Sequence, residues 1–218
     1  MPQNKSFVLR FGWYWRKKEK QMSRVSSVPF KEVPDYLQNI MRDYDVELGG
    51  SEFVQVLAHA PETFKSFIDY YFGLVTKTRG NIDIVITELV RLMVAKKNDC
   101  FLWLHARFAV AKQEGLTEEK IAQIGSYKES NLFSDAEKAA IHYAEILAGD
   151  HQSASETLFD ELRLHFTEAE IIELGMRIST FLGYGRLIHV LGLEIGKTCP
   201  VWWKFWTANL KSARNKVL

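Results

Sequence analysis

The stretch ELVRLMVAKKNDCFLWLHARF, residues 88–108, decides the fold. Its first half continues a helical pattern in which Ile86, Leu89, Val90, Met93 and Val94 share one face. Lys96-Lys97-Asn98-Asp99 interrupts that pattern, and Asp99 is a residue type suited to capping the N-terminus of the next helix. The second half places Phe101, Leu104, Phe108 and Ala111 on one side and Trp103, Ala106 and Val110 on another. Only His105 and Arg107 are ionisable between Phe101 and Ala111, so the second helix is apolar over most of its girth. Such a helix belongs at the centre of a helical bundle.

The segments on either side read as helices as well. Upstream, Pro34 opens a helix through Leu37, Ile40 and Met41 that Gly49-Gly50 ends. Two helices then meet at Pro61, the second with Phe64, Phe67, Ile68, Tyr71, Phe72 and Val75 at the spacing of one buried face. Arg79-Gly80-Asn81 is a turn. Downstream, Gly115 ends the central helix and a short helix follows Thr117. Three capping boxes predict three helix starts: Ser134 with Glu137, Ser153 with Glu156, and Thr167 with Glu170. The last helix carries Ile171, Leu174, Ile178 and Phe181, and its glycines predict close packing or a break near Gly183-Tyr184-Gly185. No segment alternates with period two. The fold class expected is all-α, an oligomeric helical bundle.

Composition narrows the function classes. With 218 residues and 47% hydrophobic content the chain suits one domain with a sizeable core. A net charge of +1 gives no argument for nucleic acid. The two ends are basic, however: residues 1–21 hold six Lys/Arg against one Glu, and residues 197–218 hold five with no acid. Five of the six tryptophans, Trp13, Trp15, Trp202, Trp203 and Trp206, lie there too. The division expected is an N-terminal extension over 1–28, a helical domain over 29–196 and a basic, Trp-rich tail over 197–218. That tail is expected to dock on a neighbouring subunit rather than on a membrane. Two cysteines, Cys100 and Cys199, make no disulfide framework, and with no signal-peptide pattern a reducing cytoplasm is the expected setting.

The candidate chemistry gathers around Cys100. With Asp99 as N-cap, Cys100 is the first helical residue, where free N–H groups and the helix dipole favour thiolate. Lys96, Lys97 and Arg107 add positive potential, and Asp99 and Glu88 oppose it. Glu88 falls among apolar residues and needs a partner. A proton relay to His105 or to the Cys100 thiol is one reading, and a salt bridge to Arg91 or Arg107 is the other. Arg107 returns to the face of Cys100 and suits a substrate carboxylate, with Trp103 as an apolar wall. Arg186 and His189, one turn apart, form a further candidate anion site. No histidine pair has metal-ligand spacing, and no phosphate- or dinucleotide-binding motif occurs, so no metal and no cofactor are expected.

These stretches resemble the carboxymuconolactone decarboxylase-like family, which includes the alkyl hydroperoxidase D group. The resemblance rests on ELVRLMVAKKNDC followed by KQEGLTEEKIAQI, on FSDAEKAAIHYAEILAG at 133–149, and on LHFTEAEIIELGMRISTFLGYGRLIHVLGLE at 164–194. It implies an all-helical fold assembled as a trimer or hexamer. It also implies a redox site of a glutamate, a Cys-x-x-Cys pair and a histidine. Glu88 and Cys100 stand at the glutamate and first-cysteine positions, Trp103 at the second cysteine and Arg107 at the histidine, with His105 nearby. Three functions follow as expectations. One is a single-cysteine peroxidase of the alkylhydroperoxidase type, with a peroxide as substrate and an external thiol as reductant. Another is a cofactor-free lyase or isomerase of a small carboxylated lactone, with Glu88 and His105 as acid/base groups. The last is a non-catalytic family member.

Overall fold

The computed structural model describes residues 23–48, 51–75, 80–100, 104 and 109–193. Among them every regular element is helical. The helices in chain order are α1 (Asp35–Leu48), α2 (Glu52–Leu57), α3 (Pro61–Val75), α4 (Ile84–Lys97), α5 (Ala109–Gln113), α6 (Glu118–Ala122), α7 (Asp135–Ala148), α8 (Glu156–Arg163) and α9 (Glu168–Leu191).

The core is built around α4, which packs against α7 and α9 and also touches α3 and α5. All of its residues from Ile84 to Ala95 except Ile86 are buried. The sequence pattern assigned one apolar face to this helix, whereas solvent is excluded from nearly its whole girth. α4 is thus central to the bundle. Trp103, Phe108 and most of the segment after Cys100 lie outside the described residues. α7 can approach α4 closely because four of the residues it buries are alanines, Ala139, Ala140, Ala144 and Ala148, alongside Ile141 and Glu137. Each fully buried Leu, Ile or Met of this core contributes about 1.5–3 kcal/mol.

Helix boundaries follow local chemistry. The Asp83 side chain caps α4 by accepting from the N–H groups of Val85 and Ile86. Ser134 and Thr167 form the expected capping boxes with Glu137 and Glu170. The third expected box does not form. Ser153 ends a 3-10 turn, with its hydroxyl donating to the Asp150 carbonyl at 2.7 Å, and Ser155 occupies the N-cap of α8. α9 runs unbroken through Gly183 and Gly185 to Gly192, which takes φ +69° and closes the helix. One of its glycines marks close packing instead: a Cβ at Gly175 would lie 2.6 Å from the Tyr143 hydroxyl, whereas one at Gly185 would make only an ordinary contact with Asn98.

The segment just before α1 is tied to the domain. The Arg24 N–H donates to the Leu191 carbonyl, and the Val28 N–H to that of Gln55. The expected extension over 1–28 is thus hydrogen-bonded to the domain at its described end, and residues 1–22 and the tail over 197–218 lie outside the described residues.

Candidate functional site

The C-terminal end of α4 sets the position of Cys100. Asp99 adopts φ +49°, a left-handed conformation. The Asp99 N–H donates to the Lys96 carbonyl and the Cys100 N–H to the Ala95 carbonyl. This is a Schellman closure of α4, with an aspartate where glycine is usual. Asp99 therefore ends the preceding helix and does not cap the next one. The Cys100 carbonyl accepts from the Leu104 N–H at 3.0 Å, so Cys100 itself stands at the cap of the following turn. Its own N–H is consumed by the closure of α4. The side chain is half-buried and packs against the core.

The positive charge near Cys100 comes from an unexpected quarter. The Lys97 ammonium pairs with Glu145 at 3.0 Å, and that of Lys96 lies against Gly125. Lys97 thus reaches α7 and Lys96 the turn that precedes it. Arg91, one turn earlier and 1% exposed, takes their place. Its Nε donates to Glu88 Oε2 at 2.6 Å and its Nη2 to Glu88 Oε1 at 2.7 Å, while Glu88 is 0% exposed. Of the two partnerships open to Glu88 in the sequence, the structure contains the salt bridge to Arg91. Burial disfavours the guanidinium charge. The Glu88 carboxylate outweighs it, and the charges of Tyr71 and Cys100 act in the same sense, so the Arg91 pKa sits above its ordinary value.

Tyr71, from α3, completes this cluster. Its ring stacks on Phe67, with centroids 5.6 Å apart, and meets Phe181 of α9 edge-on. Burial pushes its phenol well above the ordinary value, Arg91 pulls it down and Glu88 pushes it up. Sequence reading placed Tyr71 in an apolar stripe, and only its hydroxyl set it apart from the neighbouring Phe67. Glu88, Arg91, Tyr71 and Cys100 thus form one electrostatic unit that joins α3, α4 and the turn after α4.

The remaining candidates fall elsewhere. Arg186 donates through Nε to Asn98 Oδ1 at 3.2 Å and through Nη2 to the Ala148 carbonyl, so it ties α9 to the ends of α4 and α7. These two bonds use its Nε and one Nη2 donor. His189 is exposed on the last turn of α9, where Arg24 holds the neighbouring carbonyls. Both lie exposed near the C-terminal end of α9. His105, Trp103, Arg107 and Cys199 lie outside the described residues. Among the described residues no group of three or more His, Cys, Asp or Glu side chains could hold a metal ion, and no helix is long and apolar enough to cross a membrane.

A second buried ionic cluster braces the other end of α4. Arg177, from α9, donates to Glu173 and through Nη1 to the Thr87 hydroxyl at 2.8 Å. Glu173 also accepts from the N–H groups of Asn81 and Ile82. All donors here belong to the turn before α4 or to α9 itself, which makes the cluster a structural clamp.

Comparison with known proteins agrees with this architecture. Residues 61–145 match the carboxymuconolactone decarboxylase family. The chain is 25% identical over 143 residues to the uncharacterized protein YdfG of Bacillus subtilis, covering 65% of this chain and 95% of that one. It is 26% identical over 108 residues to the uncharacterized protein YnjA of Escherichia coli, covering 49% of this chain and 59% of that one. Among solved structures, an alkylhydroperoxidase AhpD core protein from Ralstonia eutropha superposes with a TM-score of 0.65 at 18% identity, over 84% of this chain and 94% of that one. The debrominase Bmp8 in complex with 2,3,4-tribromopyrrole gives a TM-score of 0.66 at 15% identity, over 89% and 99% of the two chains. The family match spans α3, α4 and most of α7, the helices around Cys100. Residues 61–145 thus carry the carboxymuconolactone decarboxylase family match, and the chain has the same all-helical fold as the AhpD core.

Proposed function

We propose that this chain is a thiol-dependent peroxidase of the alkylhydroperoxidase type that works through Cys100 alone. The observation that supports this reading is the half-buried placement of Cys100 on the turn closing α4, within the field of the buried Arg91 guanidinium. The thiolate is the form of cysteine that attacks a peroxide. In the reaction the Cys100 sulfur attacks one oxygen of a hydroperoxide. An S–O bond forms, the O–O bond breaks, and the leaving oxygen departs as an alcohol after taking up the thiol's proton. Cys100 is left as a sulfenic acid, oxidised by two electrons.

Recovery calls for an external dithiol, because Trp103 stands where the family's second cysteine would. One reductant thiol displaces water from the sulfenic acid to give a mixed disulfide. The second thiol then releases Cys100 and leaves the reductant as its disulfide, which balances the two electrons. The lyase reading is less well supported, since both Glu88 oxygens accept from Arg91 and the carboxylate serves as a counter-ion rather than a base.

The test is peroxide consumption in the presence of dithiothreitol, with dimedone trapping of the sulfenic acid. Wild type is expected to consume cumene hydroperoxide catalytically and to carry one dimedone adduct on Cys100, and Cys100→Ser to do neither. Equal consumption by both proteins would overturn the proposal.

A further inference from the structure

The outer side of α9 carries an apolar stripe that the described residues leave open. Ile172 is 65% exposed, Met176 54%, Leu187 43% and Val190 61%. Exposed Ser179 and Gly183 continue the stripe between them. A Cβ at Gly183 would meet nothing within 4 Å, so the stripe dips at its middle. The other side of the helix is occupied by the core, through Ile171, Leu174, Ile178, Phe181 and Ile188. A helix that is apolar on two sides normally has both of them covered.

We infer that the basic, Trp-rich tail docks on this stripe, on the α9 of its own chain rather than on a neighbouring subunit, as a helix over residues 200–217 antiparallel to α9. Gly192, at φ +69°, ends α9 and turns the chain off the helix axis. Pro200 suits the first position of a new helix, and residues 193–199 make a connection of a length common between antiparallel neighbours. The tail carries a matching stripe: Trp203, Trp206, Leu210, Ala213 and Val217 follow one another at steps of three, four, three and four. Laid antiparallel in one register, Trp203 meets Val190, Trp206 meets Leu187, Leu210 meets Gly183 and Val217 meets Met176. Val190 and Met176, like Trp203 and Val217, stand fourteen positions apart, about 21 Å of helix. Leu210 fills the dip at Gly183, and the two indoles cover the apolar end of the stripe.

Charge and tethering support the same occupant. Residues 197–218 hold five Lys/Arg and no acid. α9 opens on Glu168 and Glu170 and ends among Arg186, His189 and the Arg24 guanidinium. Antiparallel docking carries Lys211, Arg214 and Lys216 toward the acidic turn and opposes the two helix dipoles. Only Lys204 of the docked helix stays beside the basic end. The tail is also joined to α9 by one short connection, so its effective concentration at the stripe exceeds that of a free partner.

Two measurements on the full chain test this. In a Cys100→Ser/Cys199→Ser background, Met176→Cys/Val217→Cys is oxidised and its disulfides are mapped by mass spectrometry. It is expected to form the 176–217 disulfide within one chain. Leu187→Cys/Val217→Cys should not link, since its two positions would lie about 16 Å apart along the paired helices. In the second experiment Gly183→Arg places a bulky cation where Leu210 would sit, and arginine is a better helix former than glycine, so α9 itself is kept. Endoproteinase Lys-C should then cut after Lys211 about tenfold faster than in wild type, with far-UV circular dichroism unchanged. Equal cutting of the two proteins, equal linkage of 217 to 176 and to 187, or no 176–217 linkage would overturn the inference. A 176–217 disulfide found only between chains would overturn it in favour of a neighbouring copy's tail. Binding of the intact chain to phosphatidylserine vesicles, lost on deleting residues 200–218, would overturn it in favour of a membrane surface.

Discussion

Arg91 closes both carboxylate oxygens of Glu88 from one helical turn away, and solvent reaches neither side chain. A buried pair of this kind is costly to break from one side, because the remaining charge is stranded. Arg91→Met is therefore expected to lose about 3–5 kcal/mol of stability. The double variant Glu88→Leu/Arg91→Met should recover much of that loss. Urea unfolding of the two single variants and the double measures the coupling. Additive single losses would show that the pair does not act as a unit.

The clamp at the opposite end of α4 should show in acid. Burial raises the Glu173 pKa, but the N–H groups of Asn81 and Ile82 and the Arg177 guanidinium outweigh it, and the carboxyl is held below its ordinary value. A carboxyl depressed in the folded state adds stability above the ordinary carboxylate range and loses it as pH falls through the depressed value. Glu173→Gln should be less stable than wild type at neutral pH, with a shallower loss of melting temperature on acidification. Parallel acid profiles for the two proteins would refute this.

Gly80 belongs to the same clamp. It has φ +82°, and a Cβ there would collide with the Glu173 carboxylate and approach Arg177 Nη2 at 2.8 Å. Gly80→Ala should cost about 1–2 kcal/mol from backbone conformation alone, and more from displacing Glu173. Combining it with Glu173→Ala should relieve the steric part, so the two losses should be less than additive. Chemical denaturation of the four proteins supplies the comparison.

Capping offers a direct comparison between two serines with the same sequence signature. Ser134 and Ser153 each precede a glutamate by three residues, yet only Ser134 makes a capping box. The Ser153 hydroxyl is turned back to the Asp150 carbonyl on an exposed 3-10 turn. Ser134→Ala should cost about 1 kcal/mol. Ser153→Ala should change the melting temperature much less, and an equal loss would contradict the assignment of Ser155 as the N-cap of α8.

That contrast shows which features were legible in the sequence. Helix identity was, because apolar spacing in α3 and α9 is long and regular. The Glu88–Arg91 bridge was one of two open readings, since i,i+3 neighbours on a helix are forced together. Tyr71 was not legible: it reaches the cluster across an interhelical contact that no local pattern encodes. Asp99 was misread because one residue type serves two opposite purposes, capping a helix start with its side chain or closing a helix end with a left-handed backbone.

Asp99 therefore carries the most discriminating substitution. In the left-handed position that closes α4, the backbone decides the cost. Asp99→Gly removes the Cβ conflict and should leave stability equal to or above wild type. Asp99→Thr forces a β-branched residue into that conformation and should cost about 1–2 kcal/mol. An N-cap position would rank the same variants in reverse, with threonine a good cap and glycine slightly worse than aspartate. Both variants leave the Cys100 side chain in place, and the Cys100 N–H bond to Ala95 reports on the same turn. Amide hydrogen exchange at Cys100 should quicken in Asp99→Thr and slow or stay unchanged in Asp99→Gly. The opposite order, in melting temperature and exchange together, would return Asp99 to the start of the following helix.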